Sequence, residues 1–115
     1  SMGGRMASLL AAEPDAPEVQ ALVCLGYPFH PAGKPERLRT EHLADLALPS
    51  LFVQGERDKL GSRAEVEGYT LSNAIRFHWC PDGNHDLKPR KRSGFTQDGN
   101  WQAAMDAAAV FLTSA

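Results

Sequence analysis

The sequence has no excess of charge of either sign. Lys and Arg together number 12 and Asp and Glu 14, so the formal net charge is -2 at pH 7. A charge this close to zero excludes the broad basic field with which general nucleic-acid binders attract phosphates. We therefore expect no nucleic-acid partner, and any recognition of an anion must come from a local group of cations.

Long apolar segments are missing as well. The longest, residues 21–26 and 46–53, are far shorter than the ~20 residues that span a bilayer. No signal-peptide pattern opens the chain. These absences predict a cytoplasmic protein without a membrane partner.

Cysteine is scarce and carries no metal pattern. Cys24 and Cys80 each lie inside an apolar run, so we expect both to be reduced and buried. Neither a Cys-x-x-Cys nor a His-Glu-x-x-His spacing occurs, which argues against zinc. We expect no metal and no organic cofactor.

What the sequence does contain is a globular composition. Of its 115 residues, 43% are apolar and 23% are charged, as in chains that fold around a packed core. Against ~150 residues per domain, this length predicts one domain or a part of one.

Three apolar segments are predicted strands, at residues 20–26, 50–55 and 74–80. The first two are nearly continuous apolar runs, which is typical of strands that helices cover on both faces of a parallel sheet. Helices are predicted at residues 1–12, 36–46, 62–69 and 98–112. In the last helix Trp101, Met105, Ala108 and Leu112 have helical spacing beside Phe111, and we expect this stripe to pack on the sheet. The order predicts an α/β layered fold.

Three residues have the order of a catalytic triad. Residues 1–4 read Ser-Met-Gly-Gly, the second half of a G-x-S-x-G nucleophile elbow. Asp58 follows the second predicted strand and His85 follows the third. This serine, acid, histidine order is that of α/β hydrolases, whose site lies at the carboxyl ends of the strands.

Longer motifs carry a resemblance to one family. They are Leu-Gly-Tyr-Pro-Phe-His-Pro at residues 25–31, Leu-Phe-Val-Gln-Gly-Glu-Arg-Asp at 51–58, Asp-Gly-Asn-His at 82–85 and Lys-Pro-Arg-Lys at 88–91. With them the chain resembles the carboxyl-terminal half of small α/β hydrolases related to dienelactone hydrolases. It is most similar to the group that includes a histone acetyltransferase complex subunit and a testis-expressed protein.

The resemblance implies both a fold and a reaction. Residues 1–115 would be the carboxyl-terminal portion of a single α/β hydrolase domain, with the last three strands of its sheet. Ser1 would be the nucleophile, Asp58 the acid and His85 the general base, and the Met2 N–H would bind the oxyanion. The substrate would be a carboxylic ester, thioester or lactone, cleaved through an acyl-enzyme.

The family's earlier strands are absent from this sequence. We therefore expect an exposed sheet edge that pairs with a second copy or a complementing chain, and an isolated chain that is inactive. A non-catalytic α/β-hydrolase-like domain for protein interaction is the alternative. Ser1 itself has two other interpretations: a remnant of a cleaved expression tag, or an amino-terminal serine that uses its own α-amine as the base.

Two loops are candidates for substrate binding. Tyr27 and His30 lie in a proline-rich loop after the first strand, and Lys88, Arg90 and Lys91 lie in a basic loop shortly after His85. The basic loop favours a substrate that bears a carboxylate or phosphate. An ordinary solvated loop is the alternative interpretation of the same charges.

Overall fold

The computed structural model of the protein describes residues 21–114. The helix predicted at residues 1–12 and the first residue of the strand predicted at 20–26 lie outside the described residues. Ser1 and Met2 lie outside them as well.

A parallel sheet of three strands organises the described residues. The strands are β1 (Leu22–Leu25), β2 (Ser50–Gly55) and β3 (Ile75–Cys80), and their order is β1-β2-β3. Leu22 is paired with Ser50, and Ser50 with Ile75, so the three carboxyl ends lie along one edge. The predicted α/β architecture of three parallel strands with flanking helices is confirmed.

The central strand β2 is buried along its whole length because both faces of the sheet are covered. On one face Phe52 packs in an aromatic cluster, with ring centroids 5.1 Å from Tyr27 and 5.7 Å from Phe77. On the other face Leu51 and Val53 belong to a second cluster, together with Cys80, Leu87, Ala104 and Phe111. The continuous apolar pattern of β2 is explained by this burial on both sides.

The helices are α1 (Arg63–Val66) and α2 (Gln97–Ser114), with 3-10 turns at Glu41–Leu43 and Lys91–Ser93. Ser62 begins α1 through a capping box. The Ser62 hydroxyl accepts the backbone N–H of Glu65, and the Glu65 carboxylate accepts the backbone N–H of Ser62. The helix predicted at 62–69 is shorter than expected. The N–H groups of Gly68 and Tyr69 bond to carbonyls three residues back, so the chain tightens and leaves the helix.

The helix predicted at residues 36–46 is wrong, since only Glu41–Leu43 forms a 3-10 turn there. The N–H of Arg39 donates to the carbonyl of Phe29 at 2.8 Å, and that of Arg37 to Lys34 at 3.1 Å. These bonds tie the segment to the loop after β1 and leave the backbone without the i to i−4 ladder of a helix.

The face of α2 that packs on the sheet also differs from the prediction. Trp101 is 37% exposed, Met105 46% and Leu112 55%, whereas Ala104 and Phe111 are buried. A polar anchor accounts for this rotation. The buried amide of Asn100 donates to the carbonyls of Pro81 and Leu87 at 3.1 and 2.9 Å, which turns the Asn100, Ala104 and Phe111 side of the helix inward.

Both cysteines are buried, as predicted. Burial disfavours the charged thiolate and raises the pKa of Cys24 and of Cys80 to about 11. None of the helices within residues 21–114 combines the length and the apolar character needed to cross a membrane.

The aromatic cluster supplies a test of the fold. Phe52 is fully buried, so Phe52→Ala removes packed ring atoms at the centre of the sheet and should lower the free energy of unfolding by about 3–5 kcal/mol. Phe95 is 51% exposed, and Phe95→Ala should change it by less than about 0.5 kcal/mol. Urea unfolding of the two variants checks this, and equal losses would contradict the described core.

Candidate active site

Asp58 lies in a tight turn immediately after β2. Its backbone N–H donates to the carbonyl of Gly55 at 3.1 Å, and its carbonyl accepts from the N–H of Gly61 at 3.2 Å. The carboxylate is completely buried, and its Oδ1 accepts the N–H of Leu60 at 2.8 Å. The turn thus holds a buried carboxylate at the carboxyl edge of the sheet.

His85 lies in the loop that follows β3, and the neighbouring Asn84 gives this loop its shape. The side-chain oxygen of Asn84 accepts the N–H groups of Asp86 and Lys88 at 2.9 and 3.0 Å. Gly55 lets the loop cross the end of β2, because a Cβ at that position would stand 2.2 Å from the Asn84 carbonyl oxygen. The loop therefore rests directly on the strand that precedes Asp58.

The structure brings Asp58 and His85 together. His85 Nδ1 lies 2.8 Å from Asp58 Oδ2, so the ring donates its Nδ1 proton to the carboxylate and keeps Nε2 for another partner. Since the His85 side chain is 34% exposed while Asp58 is buried, the pair consists of a covered acid and an accessible base.

Gly26, at the end of β1, lies beneath the His85 ring. A Cβ added to Gly26 would stand 3.1 Å from His85 Cε1, and the φ of +68° is one that other residues rarely adopt. All three strands therefore contribute at their carboxyl ends: β1 the floor under the ring, β2 the acid and β3 the base.

A cavity of about 400 Å³ opens beside His85. Its described lining carries two cations, Arg57 and Lys59, and one carboxylate, Asp86, with Asn84 and His85. The Nε of Arg57 donates to the carbonyl of Asp82 at 2.9 Å, so its guanidinium is held in place. Within residues 21–114 Lys59 has no ion pair, and its side chain is exposed where it lines the cavity.

The basic loop after His85 is organised by Asp82. The Asp82 carboxylate accepts the Arg90 side chain and, at 2.8 Å, the Arg90 backbone N–H. The Arg90 guanidinium is the main reason that the pKa of the Asp82 carboxyl lies well below its usual range, and the charges of Arg57 and Arg90 add to it. Arg90 therefore holds the basic loop in place through its bonds to Asp82.

The predicted substrate-binding residues do not line the described part of this cavity. Lys88, Arg90 and Lys91 are exposed outside it. Tyr27 is completely buried, and its hydroxyl donates to the carbonyl of Arg39 at 2.8 Å. His30 is 3% exposed. Ser1 and Met2 lie outside the described residues.

His30 is enclosed by two acceptors. Its Nδ1 is 2.9 Å from the carbonyl oxygen of Pro31, and its Nε2 is 3.0 Å from the Glu65 carboxylate. Burial alone would lower the pKa of His30, but the Pro31 carbonyl and the Glu65 carboxylate outweigh it, so the pKa lies above its usual value. The imidazolium, which donates from both nitrogens, suits this place best.

Sequence analysis overlooked Arg57 and Lys59 as residues of the site. Both lie next to Asp58 in the chain, and the side chains that flank an acid in a tight turn project to either side of it. Their position next to Asp58 was the available indication, but the higher density of charge at residues 88–92 favoured the basic loop as the binding site.

In the described part of the chain, no three His, Cys, Asp or Glu side chains form a group that could hold a metal ion.

Comparison with known proteins agrees with this architecture. The chain matches the alpha/beta hydrolase domain family over residues 1–113, and it belongs to that family. The match confirms the predicted superfamily. A search of solved structures found no match.

The His30–Glu65 pair predicts a pH dependence. A raised pKa in the folded state means that the stabilisation is complete below the unfolded pKa of about 6.5 and is lost as the pH rises through the folded value. The stability difference between wild type and His30→Gln should therefore be larger at low pH than at high pH. Urea unfolding from pH 5.5 to pH 9 measures it.

Glu67→Gln serves as the control, because Glu67 is exposed and has only a surface ion pair with Arg63 at 3.6 Å. Its difference from wild type should be small at every pH. A His30→Gln difference that stays constant across the range would mean that no imidazolium is stabilised there.

Proposed function

We propose that this protein is a serine hydrolase that cleaves a carboxylic ester, thioester or lactone through an acyl-enzyme. The observation that carries the proposal is the 2.8 Å hydrogen bond between His85 Nδ1 and the buried Asp58 carboxylate. This bond directs the free Nε2 of an accessible imidazole toward a proton that it can accept. Membership of the alpha/beta hydrolase domain family supports the same conclusion.

The nucleophile in this proposal is Ser1. His85 Nε2 takes the hydroxyl proton while the serine oxygen bonds to the acyl carbon, and the Met2 N–H donates to the oxyanion. His85 then returns the proton to the leaving alkoxide or thiolate as that bond breaks. Water hydrolyses the acyl-enzyme by the same steps, and Asp58 stabilises the imidazolium each time.

The cations beside His85 favour an anionic acyl substrate. Arg57 and Lys59 line the cavity that His85 faces, whereas Arg90 of the basic loop is occupied by Asp82. A carboxylate or phosphate on the substrate would bind the ammonium of Lys59, which has no ion pair within residues 21–114. Recognition would therefore come from the loop after β2.

A serine-reactive fluorophosphonate tests the triad. Intact mass after incubation should show one adduct on wild type, localised to Ser1 by peptide mapping, and a loss of at least about a hundredfold in labelling rate for His85→Ala because the general base is removed. The half-buried His42, which is not among the residues lining the described cavity, offers the matched control, and His42→Ala should leave the rate within about twofold.

Absence of an adduct on this chain would agree with the expectation that it is inactive alone. Labelling would then be repeated on a version extended upstream. Absence of an adduct on the extended protein would reject the serine hydrolase proposal and favour the alternative, a non-catalytic domain for protein interaction.

Anion recognition is tested with two fluorophosphonates that differ only in a neutral or a carboxylate-bearing tail. Lys59→Ala should slow labelling by the anionic probe at least about tenfold, because a charge-assisted contact is worth about 1.5–3 kcal/mol, and leave the neutral probe within about twofold. Lys91→Ala, which removes an exposed cation outside the described cavity lining, should affect both probes equally. If Lys91→Ala instead slowed the anionic probe selectively and Lys59→Ala did not, the basic loop would be the site of anion recognition.

A further inference from the structure

Gln54 is a fully buried amide near the end of the central strand β2, in an otherwise apolar run. Its Oε1 accepts the N–H of Tyr27 at 2.9 Å. Its Nε2 carries two hydrogens and lies within hydrogen-bond distance of three acceptors, the carbonyl oxygens of Tyr27 and Gly61, both at 3.1 Å, and Asp58 Oδ2 at 3.2 Å, so that one hydrogen is shared between two acceptors. One side chain thus connects the ends of β1 and β2 with the turn that carries the acid.

The surroundings allow only one orientation of this amide. The amide oxygen faces a backbone donor, and the amide nitrogen faces three acceptors: two carbonyls and a carboxylate. Exchanging oxygen and nitrogen would set the oxygen against all three acceptors and leave the Tyr27 N–H facing a donor. The amide of Gln54 is therefore locked by its partners on both sides.

The lock matters because Asp58 Oδ2 is also the atom that accepts the His85 Nδ1 proton. Leu60 fixes Oδ1 from the other side with its backbone N–H. Together the two donors resist rotation of the carboxylate about its Cβ–Cγ bond, so that Oδ2 stays aimed at the imidazole. Without Gln54, the Leu60 N–H would be the one donor other than His85 itself that holds the buried carboxylate within residues 21–114.

We propose that Gln54 is the positioning residue of the candidate active site: it orients the Asp58 carboxylate and so selects the Nδ1–H tautomer of His85. The role rests on the proposed function, since it is the acid and base of that reaction that Gln54 aligns. Gln54 is not among the residues that line the described cavity, and its hydrogen bond to the acid–base pair is the one with Asp58.

The connection to Tyr27 extends this role to the floor of the site. Tyr27 follows Gly26, which lies beneath the His85 ring with a N–H that donates to the carbonyl of Val53 at 2.8 Å. By bonding both backbone groups of Tyr27, Gln54 fixes the exit of β1 relative to the acid. A shift of this exit would change the space for the imidazole.

The test reads the tautomer of His85 directly, by nitrogen chemical shifts of the histidine-labelled chain above the pKa of the ring. His85→Gln assigns the His85 signals among the four histidines. Wild type should show the Nδ1–H form. Gln54→Met has a similar size and no donor, and it should lower the ratio of Nδ1–H to Nε2–H at least about fivefold.

Gln102 provides the matched control, because its Nε2 also donates to a carboxylate, Asp106 Oδ1 at 3.0 Å, but on the exposed surface of α2. Gln102→Met should leave the tautomer ratio of His85 unchanged. A folded Gln54→Met chain that keeps the wild-type ratio would overturn the positioning role. The tautomer does not depend on Ser1, so failure of fluorophosphonate labelling on the extended protein, with a normal tautomer ratio, would reject the hydrolase proposal alone.

A second variant covers the case in which Gln54→Met does not fold. Gln54→Asn keeps a buried amide but is one methylene shorter, so its nitrogen can no longer reach Asp58 Oδ2 as the Gln54 nitrogen does at 3.2 Å. The ratio of Nδ1–H to Nε2–H in His85 should fall at least about twofold. Gln102→Asn should leave that ratio unchanged, and an unchanged ratio in Gln54→Asn would overturn the positioning role.

Discussion

The site depends on the complete burial of strand β2. Because helices and loops cover both faces of this strand, every polar group at its end must find a partner inside the protein. Gln54 and Asp58 meet that requirement with each other, with the exits of the strands and with His85. The same burial that stabilises the sheet therefore fixes the relative positions of Asp58 and His85. A change in the packing of β2 would also change this geometry.

The cations around the site differ in their partners: Arg57 and Arg90 form ion pairs with Asp82, and Lys59 does not. Asp82 is the organising group: it accepts Arg90 and contacts Arg57, and these bonds hold the His85 loop against the turn after β2. In the basic loop, Arg90 therefore has a structural role through its ion pair with Asp82. Of the two cations in the described cavity lining, Lys59 has no ion pair within residues 21–114, whereas Arg57 contacts Asp82.

The strands and the proximity of Asp58 to His85 could be predicted from sequence because burial and strand ends leave a local pattern. The bounds of β2 agree with the prediction, and Asp58 and His85 follow strands whose carboxyl ends must be adjacent in a parallel sheet. The helices were harder, because their limits and rotation are set by contacts distant in sequence. The bond from Arg39 to Phe29 prevents a helix, and Asn100 turns α2. Gln54 did carry a local indication: an amide within a doubly covered apolar strand must have buried partners.

A base that is oriented before its substrate arrives needs little reorganisation when the proton moves. Here the orientation is built entirely from the ends of three adjacent strands and the turns that follow them, so it is complete within residues 21–114. In the proposed reaction the nucleophile has only to approach Nε2 from the accessible side of the ring, where the cavity lies. The orientation of His85 and the approach of the proposed nucleophile are therefore two separate requirements of that reaction.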